Sequence, residues 1–568
     1  MSSTTDREGF LTRHVPLLGW LGGYRWGSWF TLDLIAGISV AALLIPESMG
    51  YAGVAGLPPE VGLYAAPLAL LGYAVFGRST VLVVATSSST AAISASVVSD
   101  MNAGGGADSA IALSAALALF TGGVFLAVGL VRLGWVANFM SKTVIEGFII
   151  GLSISIIVGQ LDDLLGIEVS GENSFEELGS VLDQAGDWNQ ATVIVGVVSL
   201  ALLFGMERFI KKVPAALTVV VLSVLYINLV DPSGVAIVGE IPQGLPDVGM
   251  PDFSRSQIAA LISGGLAVAL VGFSEGFGAA SSFARTYGDR LSNNQEFIAF
   301  GVSNVGAGLT GGMVVGGSLS KTAANDTAKA KSQLSGVVNA ILVVLTLLFL
   351  APLFESLPEA TLAAIVIAAL WHSANPRKLA PLWKIARVEF WLAVTVLVAV
   401  LTLDTLPAII LGVLISLLIL IYHTSFPNTA ELRRDPVTGA FESRKLHEDA
   451  ERIRGVVVYR FEAPLIYANA GSFGAAALDL VNATDPPPQL LVIDCEEVSG
   501  TDYTGCEALE GLIEDMQERG IEVRLARAHE GLLARLRVSG VLARLGEERV
   551  FRRIEDAMPD ARSTGDSE

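Results

Sequence analysis

Of the 568 residues, 52% are hydrophobic and only 16% charged, with a mean hydropathy of +0.58, outside the range of an ordinary water-soluble domain. The net charge of −20 at pH 7 argues against a nucleic-acid partner, because phosphate binding needs clustered Lys and Arg. The two cysteines, Cys495 and Cys506, stand in no CxxC or metal-ligand spacing, which argues against a disulfide framework and against a bound metal.

Taken from its start, the stretch MSSTTDREGFLTRHVPLLGW has no long apolar core followed by a small-residue cleavage site. Residues 1–29 therefore read as an N-terminal segment on the cytosolic side, not as a cleaved signal. Apolar runs close to the roughly 20 residues that span a bilayer recur from about Leu32 to about Tyr422 and then stop. The pattern predicts a transmembrane domain over 30–425, a linker over 426–453, a soluble domain over 454–557 and a disordered tail over 558–568.

Basic residues gather in alternate gaps between the apolar runs. They are Arg78; Arg132; Arg208 with Lys211 and Lys212; Arg285 with Arg290; Lys329 with Lys331; and Arg377, Lys378, Lys384 and Arg387. The opposite gaps lack positive charge, and 160–190 holds eight carboxylates with no Lys or Arg. The positive-inside rule then gives about fourteen segments, some too short to span, with both termini and the soluble domain cytoplasmic in a multi-pass cell-membrane protein.

Two short segments begin with hydroxyl residues at membrane depth. Ala85-Thr86-Ser87-Ser88-Ser89-Thr90 opens an apolar stretch to Val98, and Ser318-Leu319-Ser320-Lys321 opens another to about Thr327. Irregular Gly/Ser backbone survives at depth only where protein or a cavity surrounds it, so both read as half helices, and Lys321 becomes a candidate ligand-binding charge. The alternative is a loop at the membrane surface with Lys321 solvated. An acidic residue inside an apolar helix precedes each break, Glu47 in AALLIPESMGYA and Glu275 in ALVGFSEGFGAA. The two halves of the chain appear as repeats of one plan, the architecture of many secondary transporters.

Three stretches resemble the SulP family of anion transporters: IPESMGYAGVAGLPPEVGLYA from Ile45, NNQEFIAFGVSNVGAGLTGG from Asn293, and GGSLSKTAANDTAKAKSQLSG from Gly316. The resemblance implies a polytopic α-helical fold of 14 segments in a 7+7 inverted repeat of the uracil-transporter type, with core and gate domains. It further implies a homodimer and elevator-type alternating access. It places the anion between the N-termini of segments three and ten, which match Thr86, Ser87 and Ser88 on one side and Ser318, Ser320 and Lys321 on the other. Paired helix N-termini suit an anion because they present unpaired N–H groups and the positive ends of two dipoles.

The chain departs from the family pattern at several positions. Lys321 stands where arginine is usual, giving a compact point charge instead of a bidentate fork. Glu47 stands where glutamine is common and would repel the anion unless protonated or paired with Lys321. Ala85-Thr86 replaces a Gly-Pro pair. Glu275 matches the position that the resemblance links to coupling by H+ or Na+, the alternative being an acid that only neutralises Lys321.

From Arg454 the pattern changes to strand, helix, break, strand: GVVVYRF, GSFGAAALDLVNA, PPPQ and LLVIDCEEV. A helix over Gly505 to Arg519, a strand at IEVRLAR and a last helix near Leu532 to Leu545 complete an α/β order that resembles a STAS domain. Tyr503 in Asp502-Tyr503-Thr504-Gly505 replaces the residue that some STAS relatives phosphorylate, although Thr504 remains. A structural role against the dimer mate and the membrane part is expected.

With no Ser/His/Asp set, P-loop or metal-ligand cluster in the sequence, an enzyme is not expected, nor a cofactor beyond a coupling H+ or Na+. The expected function is secondary active transport of a small inorganic or organic anion through the lipid bilayer, sulfate first and bicarbonate or a dicarboxylate next. The rivals are an uncharged or weakly acidic solute on the same fold, and a passive anion channel or membrane-anchored regulatory protein.

Overall fold

The computed structural model describes residues 15–102, 105–135, 141–171, 173–210, 213–230, 232–403, 405–443 and 450–559. The expectations placed on 1–14, on Lys211 and Lys212, on 444–449 and on the tail from 560 lie outside the described residues. The chain forms two compact units, Met1–Ser416 and Leu417–Glu568.

Fourteen of the described helices make up the apolar part, with shorter ones such as Ser174–Asp183 and Ala380–Ile385 between them: α1 Trp26–Val54, α2 Pro59–Phe76, α3 Ser88–Met101, α4 Ala107–Leu130, α5 Lys142–Gly159, α6 Gln190–Phe209 and α7 Ala215–Val230. The second set is α8 Ile258–Tyr287, α9 Asn293–Leu309, α10 Leu319–Thr327, α11 Leu334–Leu345 with a continuation to Phe354, α12 Glu359–Trp371, α13 Arg387–Thr402 and α14 Thr405–Ser425. Among the described residues, eight helices are long and apolar enough to cross a membrane. The short members α3 and α10 occupy equivalent places, third in each set of seven.

The packing repeats with the chain. Helix α4 lies on α9 and α8, and its counterpart α11 lies on the counterparts α2 and α1. Likewise α5 lies on α13, as α12 lies on α6. Adding seven to the first-half labels and subtracting seven from the second-half labels maps one set of contacts onto the other, as a 7+7 repeat requires. Helices α1, α2, α4, α8, α9 and α11 pack as one group while α5 lies on α13 and α6 on α12, an arrangement that fits a core and a gate.

Close packing of α4 on α9 depends on small residues, because helix association in a bilayer comes from backbone approach and van der Waals contact. A Cβ at Gly122 would lie 2.8 Å from the Val305 nitrogen, and one at Gly308 2.7 Å from the Ala115 oxygen. Two carboxylates inside the core accept hydrogen bonds from neutral donors. Asp33 accepts from the Tyr24 hydroxyl at 3.0 Å, the Ser332 hydroxyl at 2.8 Å and the backbone nitrogens of Lys331 and Ser332. Glu296 accepts from the Tyr73 hydroxyl at 2.7 Å and the Arg78 nitrogen at 2.9 Å, tying α9 to the turn after α2.

The second unit holds a six-stranded sheet in the spatial order Phe441–Ser443, Thr429–Arg434, Val456–Phe461, Leu490–Asp494, Glu522–Ala526 and Val550–Phe551. Its strands are β3 Thr429–Arg434, β4 Phe441–Ser443, β5 Val456–Phe461, β6 Leu490–Asp494, β7 Glu522–Ala526 and β8 Val550–Phe551, with β5 through β8 parallel. Strand β5 is apolar on both faces because both are covered. Val457, Tyr459 and Phe461 join the core that includes Phe473, Leu509, Ile513 and Leu536, whereas Val456 and Val458 pack with Leu432, Ile554 and Ala557.

Two sequence expectations change here. The stretch 426–453, read as a linker, supplies β3 and β4, and β3 pairs antiparallel with both β4 and β5. Ala430 and Leu432 bury on one face, and Asp435 caps the intervening turn by accepting from the nitrogens of Val437 and Thr438. The single helix expected over Leu532 to Leu545 is two, Glu530–Ser539 and Val541–Leu545, because Gly540 adopts φ +86 between them.

Cys495 and Cys506 are both free and buried, and burial with the neighbouring Asp494 pushes the Cys495 thiol up to about 12, so it stays a protonated packing residue. Asp502 caps the helix Tyr503–Glu518 through Gly505, and backbone N–H groups of Tyr467 and Gly505 hold its carboxyl below the usual range. Tyr503 itself is 77% exposed.

Candidate functional site

The two half helices are joined at their starts. Strand β1, Val83–Ala85, precedes α3, and strand β2, Gly316–Ser318, precedes α10. The two pair antiparallel, Val83 opposite Ser318, Val84 opposite Gly317 and Ala85 opposite Gly316. Each strand thereby satisfies the other's backbone groups at a depth where water does not reach them. Both strands are buried throughout, and both halves lead out of the same short ladder.

Glycine is required on one side of that ladder. A Cβ on Gly317 would sit 2.4 Å from the Cα of Gly276 in α8, which packs across the strand. Gly317→Ala is therefore expected to destabilise the protein by about 1–3 kcal/mol through overpacking. Thermal unfolding in detergent measures this, and an unchanged midpoint would show that α8 and β2 are not packed as described.

The helix starts are capped from within. Ser87 and Thr90 form a reciprocal box, the Thr90 nitrogen donating to Ser87 Oγ and the Ser87 nitrogen donating to Thr90 Oγ1 at 3.2 Å. On the other side Ser318 Oγ accepts from the Lys321 nitrogen at 3.4 Å and lies 3.1 Å from Ser320 Oγ. Thr322 Oγ1 crosses between the halves, donating to the Ser318 oxygen and accepting from the Val83 nitrogen at 3.2 Å.

Lys321 is fully buried, which removes the surface-loop alternative. Its ammonium lies 2.6 Å from Glu47 Oε2, donates to the Thr86 oxygen at 3.1 Å and sits 5.0 Å above the centre of the Tyr51 ring. One cation therefore touches the start of α3, the acidic position of α1 and an aromatic face. The approach to Glu47 is ionic and off the hydrogen-bonding direction, since Oε2 accepts no aligned hydrogen bond. Glu275 occupies a different corner, where its Oε2 accepts a hydrogen bond from Ser89 Oγ.

Of the residues singled out in the sequence, Glu47, Thr86 and Lys321 come together as one cluster. Ser87 and Ser318 serve as helix caps, Ser88 begins α3 and Ser320 is exposed at the start of α10. Glu275 reaches α3 through Ser89, a residue that the sequence reading passed over inside the hydroxyl run. Tyr51 was also missed; its signal was a tyrosine one helical turn after Glu47. Thr86 Oγ1 is further tied to Ser48 Oγ at 2.8 Å, so α1 contributes three side chains to the cluster.

Such a constellation offers one buried cation, hydroxyls from two helices and two buried or half-buried carboxylates. It has no activated nucleophile, and its groups suit binding and release of a small anion. The Sulfate permease family model matches residues 30–396, and the STAS domain model matches residues 448–557. A Mycobacterium tuberculosis (strain H37Rv) protein named "Probable sulfate transporter" is 34% identical over 534 residues, covering 93% of this chain and 95% of that one. The Arabidopsis thaliana chloroplastic sulfate transporter 4.1 is 30% identical over 570 residues, covering 96% and 82%.

The fold is similar to that of murine solute carrier 26 family member A9, an anion transporter, with TM-score 0.89, 24% identity and coverage of 98% and 95%. It is also similar to the transmembrane domain of the cyanobacterial bicarbonate transporter BicA, with TM-score 0.59, 22% identity and coverage of 68% and 96%.

Proposed function

This chain belongs to the sulfate permease family, and on that premise we propose that it is a secondary active transporter of a small oxyanion, sulfate first and bicarbonate or a dicarboxylate next. The observation that carries the reading is the placement of a fully buried lysine where two opposed helix starts meet. Lys321 supplies the formal charge, and Thr86, Ser87, Ser88, Ser318 and Ser320 line the two helix starts on either side of it. Glu47 holds Lys321 while no anion is present and yields it when one arrives. Glu275 carries the coupling ion, a proton in preference to sodium, because among the described residues its one hydrogen-bond partner is Ser89, with no cage of oxygens around it.

Movement of the core domain against the gate in an elevator-like step would expose the cluster to one side and then the other. A homodimer would hold the gates still, with both termini cytoplasmic in the cell membrane.

The Glu47–Lys321 pair also favours a second reading, in which an already neutralised site takes an uncharged or weakly acidic solute. A thermal-shift screen of the purified protein separates the two, using sulfate, bicarbonate, fumarate, chloride, nitrate and uracil at two pH values with and without sodium. Stabilisation by sulfate, bicarbonate or fumarate, stronger at the lower pH and indifferent to sodium, is the expected result. Stabilisation by uracil alone would replace the first reading with the second.

A further inference from the structure

We propose that the core domain carries a binding site for the phosphate of an anionic lipid headgroup, built around Arg78 at the membrane end opposite the acidic segment 160–190. Two cavities of about 320 and 410 Å³ share Arg78 as a wall. The first adds Arg290 and Lys331, with Ser79, Thr80 and Trp20; the second adds Arg132, with Ser292 and Asn294. Four cations thus converge from four separate turns of a chain whose net charge is −20.

Asp289 is the carboxylate of the first cavity, and it is already engaged by the Thr80 nitrogen at 2.8 Å and the Thr80 hydroxyl at 2.6 Å. Glu296, next to the second cavity, turns inward to Tyr73 and the Arg78 nitrogen. Arg132, Arg290 and Lys331 therefore bring positive charge to the openings on either side of Arg78. Arg132, Arg290 and Lys331 are exposed and Arg78 is half-buried, so an incoming anion can reach them.

What surrounds the cations points to a lipid as the source of the phosphate. Leu130 is 70% exposed and Trp135 54% exposed, and these flank Arg132. Trp26 and Phe30 are exposed near the short helix Pro16–Gly22, whose Trp20 lines the first cavity and donates to the Ala74 oxygen at 3.1 Å. Exposed Trp and Leu beside Arg and Lys is the composition of the headgroup boundary, where acyl chains cover the apolar side chains and phosphates meet the cations. A freely dissolved phosphate would use the cations and leave the apolar rim uncovered.

The site sits on the turn that leads directly into β1. Arg78 is five residues before Val83, and its backbone is pinned by Glu296 of α9. An occupied site would therefore brace the start of the ladder that carries the anion cluster.

The test uses the full-length protein, delipidated and then exchanged into mixed micelles of phosphatidylglycerol and phosphatidylcholine, with retained lipid counted by native mass spectrometry. Retention of phosphatidylglycerol over phosphatidylcholine is expected, falling about fivefold in Arg132→Ala and again in Arg132→Ala/Lys331→Ala. A control variant, Arg377→Ala/Lys378→Ala, removes two cations from outside the cavities and should keep the preference. Equal retention of the two lipids, an equal loss in the control, or full retention in the double variant would overturn the proposal. A thermal shift with inorganic phosphate or glycerol 3-phosphate matching that of phosphatidylglycerol would overturn the lipid source. Protection by phosphatidylglycerol alone supports it.

Discussion

Lys321→Ala is expected to weaken anion binding about 10- to 100-fold, the range for deleting a charge-assisted contact in a buried site, with Lys321→Arg retaining most of the affinity. Removing Lys321 also strands Glu47, which is buried with its Oε2 2.6 Å from the ammonium and without an aligned donor to that oxygen among the described residues. Breaking one side of such a pair costs about 3–5 kcal/mol, so the alanine variant should lose thermal stability as well as affinity.

The two effects separate in the double variant. Glu47→Gln combined with Lys321→Ala leaves no stranded carboxylate, so stability should largely return while anion affinity stays low. Titration calorimetry and thermal unfolding measure the two quantities on the same preparations. Equal anion affinity in Lys321→Ala, Lys321→Arg and the unsubstituted protein would end the assignment of Lys321 to the anion. Recovery of affinity along with stability in the double variant would show that Lys321 acts only by neutralising Glu47.

Glu275→Gln is expected to abolish uptake driven by an imposed pH gradient in proteoliposomes, a loss of at least about tenfold, while anion binding remains measurable. The argument rests on position. Glu275 lies in α8, which packs across β2 through Gly276, and its carboxylate accepts from Ser89 in the first turn of α3. It is near enough to both half helices to follow the anion cluster, yet it does not share the Lys321 contact that Glu47 holds. An acid that is shielded in one state and hydrated in the other exchanges its proton between them, which is the physical basis of symport. Undiminished acid-driven uptake by Glu275→Gln would leave Glu275 as a hydrogen-bond partner of Ser89 and no more.

The half helices were legible because hydroxyls and a lysine interrupt apolar sequence, and a break of that kind at depth has few physical explanations. Their boundaries came out close: the expected ends at Val98 and Thr327 compare with Met101 and Thr327. What could not be read was the ladder that joins them. Val83–Ala85 and Gly316–Ser318 are three residues each, too short to show an alternating pattern, and their pairing is set by the fold around them. The same limit hid the contact of Ser89 with Glu275, because three consecutive serines on a helix start point in three directions that only the packing distinguishes.

Asp33 illustrates a signal that was present and unused. An aspartate in TLDLIAG at the head of the first apolar run is as anomalous as Glu47, but its partners, Tyr24 and the Lys331–Ser332 turn, lie far off in sequence or look unremarkable. In the second unit, β3 and β4 read as a linker because their charged residues, Glu431, Arg433 and Arg434, dilute the apolar signal. Glu431 is in fact held in ion pairs with Arg433 and Arg452.

The ladder between β1 and β2 has a mechanical consequence. Sliding α3 past α10 would break the three paired positions, the Thr322 bridge and the contact of Lys321 with Thr86 together. The two half helices therefore behave as a single carriage whose internal spacing is fixed. On the proposed elevator reading, a passenger held between them would keep the same seat throughout its passage, and selectivity would be decided once, at boarding, rather than renegotiated on each side of the bilayer.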